Sequence, residues 1–220
     1  MTDKATFLAT IRQALAASTD AAPADTIIRD YRVETDEKPG SPAVIAEFVE
    51  ALEDYDVQVL QVESKQVPEA IAQFLTDTHS HSVVVPEGLD PEWAKAAARN
   101  GRALCTDSAE NPVNKMDLAH IDAVVTASRT AVSLSGSIVL DSQPDQGRRI
   151  ITLLPDVHVC VVRCSDVQPT VAQAVSILSK HPERPTTWIA GGSATSDIEL
   201  VRVNGVHGPR TLRVVLVTDC

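Results

Sequence analysis

The chain has 220 residues, 44% of them hydrophobic and only 3% aromatic, with 30 acidic and 19 basic side chains and a formal net charge of −11. That length suits one domain with a short arm, and the apolar share supports a core of Val, Leu, Ile and Ala. The negative surface argues against nucleic-acid binding, and no apolar run reaches the ~18 residues of a membrane-spanning helix. The N-terminal segment carries no signal-peptide cleavage pattern, so the expected location is the cytoplasm.

Residues 2–17 predict an amphipathic helix, with Phe7, Leu8, Ile11 and Leu15 at helical spacing. A polar link with Pro23, Pro39 and Gly40 follows, so residues 1–40 read as an arm and 41–220 as a single domain. Ser41-Pro42 opens a helix with the body AVIAEFVEAL. Next come the strand VQVLQV, the helix PEAIAQFL, the strand SVVVP, a helix capped by Asp90 with Pro91 in its first turn, and the strand RALCT. This alternation predicts crossover units and a parallel sheet. The segments DAVVTA, TAVSL, SIVLD, RIITLLP and VHVCVVR then read as closely spaced strands, which adds antiparallel pairing. The helix PTVAQAVSILSK, the strand TTWIA and a final strand LRVVLVT complete the chain. The expected fold is α/β, a three-layer α/β/α domain with a mixed sheet and an N-terminal helical arm.

The densest chemical signal lies in residues 186–217. Gly191 and Gly192 end an apolar strand and are followed by Ser193, Thr195, Ser196 and Asp197. Open α/β sheets place ligands beyond the carboxyl ends of their strands, where glycine lets backbone N–H groups approach an anion. The alternative is an ordinary turn and helix cap. Neither a G-x-G-x-x-G fingerprint nor a P-loop is present. His207 stands between Gly205 and Gly208, ahead of Pro209 and Arg210. There it would serve as acid or base, and Arg210 would clamp a carboxylate or phosphate. A tight loop without chemistry is the competing reading. Asp197 and Glu199 are two apart and would point to opposite sides of a strand, so one of them orients His207 or meets Arg210 rather than both sharing a proton.

Gly136, in the turn Ser135-Gly136-Ser137, is a further candidate for presenting backbone donors. Arg148 and Arg149 form either a local anion patch or a solvated pair. His79 and His81 have the spacing of a weak metal motif only, and Cys105, Cys160, Cys164 and Cys220 match no metal or redox pattern, so no metal site is expected.

Three segments carry a resemblance: GRRIITLLPDVHVCVVR (147–163), GGSATSDIE (191–199) and GVHGPRTLRVVLV (205–217), with a looser match in MDLAHIDAVVTASRTAVSLSGSIVL (116–140). On these the chain resembles the LUD-domain family, in its lactate utilization protein C group. The resemblance implies a NagB/RpiA/CoA-transferase-like fold. It also implies a part in oxidising L-lactate to pyruvate, as one component of three whose partners carry iron–sulfur clusters. No cofactor is then expected in this chain, and its partners would be iron–sulfur lactate-utilization proteins. Gly191, Asp197, Glu199, Gly205, His207, Gly208 and Pro209 match the family pattern. Two turns depart from it. Ser133-Leu134-Ser135-Gly136 replaces an alanine-glutamate-threonine-glycine turn, and Gly191-Gly192-Ser193 replaces a serine-glycine-proline turn. Leu134 cannot act as the glutamate nucleophile of related CoA transferases.

Three functions stay open on the sequence. The first is an accessory component of L-lactate oxidation without its own redox centre. The second is a free-standing enzyme acting on a small anionic metabolite, such as a sugar phosphate or CoA ester. The third is a ligand-sensing or structural interaction protein that uses the apolar face of the arm. A homo-oligomer is compatible with each.

Overall fold

The computed structural model describes residues 3–17, 31, 35–195, 203–204 and 207–220. The chain divides into the units Met1–Tyr31 and Arg32–Cys220. In the first unit, helix α1 spans Lys4–Ala17. The Asp3 carboxylate caps it, accepting the N–H groups of Ala5 at 2.6 Å and Thr6 at 3.0 Å.

The second unit opens with α2 (Pro42–Glu53), capped by the Ser41 hydroxyl, with Val44, Phe48 and Leu52 buried at four-residue spacing. Then follow β1 (Gln58–Val62), α3 (Val67–Asp77), β2 (Ser82–Pro86), α4 (Pro91–Ala97), β3 (Ala103–Asp107), the short α5 (Lys115–Leu118) and β4 (Ala123–Ala127). A hairpin, β5 (Thr130–Val132) and β6 (Ser137–Leu140), precedes β7 (Val157–Arg163), β8 (Val167–Gln168) and α6 (Val171–Leu178). The chain ends with β9 (Thr187–Ile189), β10 (Ala194–Thr195), β11 (Val203–Asn204) and β12 (Thr211–Val217). Among the described residues no helix is long and apolar enough to cross a membrane.

Six strands form one sheet in the order β1-β12-β7-β4-β2-β3, with every neighbouring pair parallel. Its central strands are nearly continuous apolar runs because both faces are covered. One face carries Val83, Val125, Val159 and Val215 against Ile71, Phe74 and Leu75 of α3. The other carries Cys160, Val162, Val214 and Leu216 against Phe48 and Leu52 of α2 and Ile138 and Leu140 of β6.

The α/β fold, the largely parallel sheet and the N-terminal helix agree with the reading of the sequence. Of the segments read as adding antiparallel pairing, however, DAVVTA (β4) and VHVCVVR (β7) lie inside the large sheet and pair parallel, whereas TAVSL and SIVLD do not join it. They build a second sheet, β8-β5-β6-β9, in which β5 and β6 pair antiparallel, as do β6 and β9. This sheet covers one face of the first, so hairpin strands and crossover strands occupy different layers.

The segment RIITLLP is not a strand. Arg149–Thr152 forms a 3₁₀ turn. Ile151 anchors it, fully buried beside Val84, Leu118 and Val124. Gly147 at φ +70° starts the segment and Pro155 ends it. A short apolar run does not distinguish a strand from a one-point anchor.

Candidate functional site

In β7 the side chains alternate between faces, and His158 and Cys160 share the face that looks toward α2 and the second sheet. His158 is 1% exposed. Its Nε2 lies 2.8 Å from Thr126 Oγ1 on β4. The Thr126 hydroxyl is 3.8 Å from Cys160 Sγ, which in turn is 3.8 Å from the Ala127 carbonyl. His158 Nδ1 is buried with no hydrogen-bond partner. Burial pushes the imidazole down to about 4, so it is neutral at physiological pH. Burial also pushes the Cys160 thiol up to about 12, against the Thr126 hydrogen bond, and keeps it protonated.

His158 and its register partner Leu212 line a cavity of about 290 Å³ over the start of β7 and β12. Arg149 and Leu153 from the 3₁₀ segment, Trp188 of β9, the loop Gly191–Ala194 and His207 supply the rest of the wall used below. Trp188 is 40% exposed, and the Arg149 guanidinium makes no ion pair among the described residues.

The two glycines hold the loop in place by close approach. Gly191 has φ +75°, and a Cβ there would lie 2.6 Å from the Tyr55 side chain. A Cβ on Gly192 would lie 2.4 Å from the Arg210 carbonyl oxygen. That proximity lets the Ser193 N–H donate to the Pro209 carbonyl at 2.7 Å, and the Ser193 hydroxyl accept the His207 N–H at 3.1 Å. Gly192→Ala forces backbone against backbone. It is therefore expected to destabilise the fold by about 1–3 kcal/mol, and urea unfolding measures this. A change below about 0.5 kcal/mol would show that the two segments separate without strain.

Gly191, Gly192, Ser193, His207 and Gly208 thus meet around one cavity. Its position differs from the expected one. β9 belongs to the second sheet, so its end does not point to the carboxyl edge of the parallel sheet, and the cavity sits near the amino ends of β7 and β12. Gly136 is elsewhere: with φ +56° it closes the β5–β6 turn, and a Cβ there would meet the backbone of Ala51 at 3.1 Å. Arg210 does not line the cavity and faces Asp156 at 3.6 Å. Thr195 contributes backbone pairing with Val203. Ser196, Asp197, Glu199 and Gly205 lie outside the described residues.

The two arginines of the 148–149 pair separate. Arg148 binds the carboxylate of Asp107, with Nε 2.9 Å from Oδ2. Burial alone would raise Asp107, but the hydrogen bonds from Arg148 and from the Val113 N–H, with the Arg148 charge, hold it below the usual carboxylate range. This pair lines the crevice beyond the carboxyl ends of β2 and β3, whose wall Arg149 also joins. Leu134, in the turn that departs from the family pattern, is 66% exposed. Beside it the Ser133 hydroxyl donates to the Glu47 carboxylate of α2.

His158, Thr126 and Trp188 were not singled out from the sequence. The signal for His158 was present, since it is the one strongly polar side chain among the first six residues of VHVCVVR. Only the tertiary structure shows that its second nitrogen is buried without a hydrogen-bond partner among the described residues. Among the described residues no three His, Cys, Asp or Glu side chains come together as metal ligands.

A family model described as LUD domain matches residues 45–217. The chain is 41% identical over 176 residues to "Lactate utilization protein C" of Deinococcus radiodurans, covering 79% of each. It is 33% identical over 119 residues to the protein of that name from Bacillus subtilis, covering 51% of this chain and 48% of the relative. The "Uncharacterized protein YkgG" of Escherichia coli is 29% identical over 150 residues, with 66% and 61% covered. A crystal structure of a DUF162 family protein from Deinococcus radiodurans superposes with a TM-score of 0.67 at 34% identity, covering 80% of this chain and 96% of that one.

Proposed function

Because the chain belongs to the LUD domain family, we propose that it serves lactate utilization in the cytoplasm, as a component of L-lactate oxidation to pyruvate that lacks its own redox centre. The observation that carries this reading is the 41% identity, over 79% of both chains, to a protein named for lactate utilization. In this reading iron–sulfur partner proteins take the electrons. The small cavity, with polar and apolar walls and an Arg149 guanidinium that makes no ion pair among the described residues, supports recognition of a small anion.

Affinity purification of the full chain from its own cells grown on L-lactate, followed by mass spectrometry, tests the proposal. The expected result is recovery of iron–sulfur proteins in stoichiometric amounts, with lactate oxidation by the recovered assembly and none by the isolated chain. Recovery of the chain alone, or turnover of lactate by the purified chain, would overturn it.

A further inference from the structure

The parallel sheet ends on one side at β1, which pairs with β12 and, among the described residues, with no other strand. The Thr218 N–H donates to the Val62 carbonyl at 2.9 Å. Backbone direction alternates along a strand, so Gln58, Leu60 and Val62 turn their N–H and C=O groups toward β12. Those of Val59 and Gln61 turn outward and find no ladder partner among the described residues. Such an edge is normally blunted by a lysine, a proline or a bulge. The strand QVLQV carries neither charge nor proline. Its apolar side chains are also only half covered. Leu60 and Val62 lean on the core beneath α3 and Val59 on the core beneath α2, and none of them is fully buried.

A cavity of about 630 Å³ touches Glu53 and Asp56 at the end of α2, Gln58, Val59 and Leu60 of β1, and Gln73 and Asp77 of α3. The two helices lie on opposite faces of the sheet. A space that reaches both of them and consecutive residues of the strand between them runs along the free edge of that strand. Its charge is of one sign. Glu53, Asp56 and Asp77 are exposed carboxylates, and no basic side chain lines the cavity. Arg213 of β12 lies within electrostatic reach of Asp77 but outside the cavity wall.

We propose that the free edge of β1 receives an extended, basic segment of a partner protein, which adds to the parallel sheet as a further strand. The backbone of that segment meets the N–H and C=O groups of Val59 and Gln61. Its side chains alternate between the two faces. Lysine or arginine therefore meets Glu53 and Asp56 on one face or Asp77 on the other, and apolar residues cover Val59 and Leu60. A second copy of this chain is the wrong occupant. Two β1 edges brought together set the same carboxylates against each other, on chains whose net charge is −11 each. The inference goes beyond the lactate-utilization reading, because it names a surface and the chemistry of its partner rather than the reaction served.

Amide exchange followed by NMR on the full chain tests it, with short capped peptides of alternating lysine and valine as probes. In the free chain the Val59 and Gln61 amides should exchange about tenfold or more faster than the Leu60 amide, which faces β12. The lysine peptide should slow both by about tenfold or more and leave Leu104 and Thr106, on the opposite edge strand β3, unchanged. N-methylation throughout the peptide removes its backbone donors and keeps its charge, so binding should weaken by about tenfold or more. The double variant Glu53→Lys, Asp77→Lys, at exposed positions, should weaken the lysine peptide by about tenfold and strengthen a glutamate–valine peptide. The peptide comparisons need no variant that has to fold. Slow exchange of both amides in the free monomer, no peptide binding at millimolar concentration, equal binding of the N-methylated peptide, equal protection of both edge strands, or no response to the charge reversal overturns the proposal. So does a stable dimer in sedimentation whose formation protects Val59 and Gln61, because a second copy then fills the edge.

Discussion

Lowering the pH from 7.5 to 4.5 is expected to destabilise the unmutated chain by about 2–3 kcal/mol more than the His158→Leu variant. The imidazole titrates at about 4 in the folded chain because burial disfavours its charged form, against 6.5 for an ordinary histidine. Between those values the unfolded state binds a proton that the folded state does not. Stability therefore falls as the pH drops through that window, and the contribution is fully present only above about 6.5. Leucine has no such proton, and it leaves the Thr126 hydroxyl free to donate to Cys160. At pH 7.5 the variant should be at least as stable as the original chain, since it replaces a buried nitrogen without a partner by apolar surface of similar size. Urea unfolding of both chains at the two pH values measures the difference. Parallel acid dependence would mean that His158 is solvated or already charged in the fold. A variant much weaker at pH 7.5 would show that the imidazole makes packing or hydrogen-bond contributions that leucine does not replace.

Phe48→Ala is expected to remove about 3–5 kcal/mol, lowering Tm by about 10 °C. Phe48 is fully buried and belongs to the cluster that joins α2 to Ile138 and Leu140 of the second sheet and to Val214 and Leu216 of the first. Removing the ring leaves a cavity where helix and both sheets meet, and three layers cannot all close onto it. Two neighbouring features depend on the same placement of α2: the hydrogen bond from Ser133 to Glu47, and the close approach of Gly136 to Ala51. Leu134→Ala in the adjacent turn is the control. That side chain is 66% exposed, and its loss should change stability by no more than about 0.5 kcal/mol. A loss below about 1 kcal/mol for Phe48→Ala would show that α2 moves freely over the sheets.

The helix starts were legible because their causes are local. Ser41-Pro42 and Asp90-Pro91 set caps and first turns within a few residues, and those caps are present. The strands SVVVP and VHVCVVR were legible because a parallel sheet covered on both faces needs unbroken apolar runs. The convergence of Gly191, Gly192, Ser193 and His207 was partly legible, since glycines mark close backbone approach. Arg148 and Arg149 are identical in sequence terms, yet one is bound by Asp107, 41 residues earlier in the chain, and the other lines both that crevice and the cavity.

By itself the sequence determined the α/β class, the capped starts of α2 and α4, the apolar strands and the resemblance that placed the chain in its family, because each rests on neighbours along the chain. Tertiary structure alone decided that the antiparallel strands form their own sheet, that RIITLLP turns instead of extending, and that the cavity lies near the amino ends of β7 and β12. It alone also decided that the Thr126 hydroxyl occupies one nitrogen of His158 and leaves the other buried without a hydrogen-bond partner among the described residues. Those outcomes depend on strand order and register between residues tens of positions apart, and the free energy that selects them comes from burial and pairing that no local pattern contains.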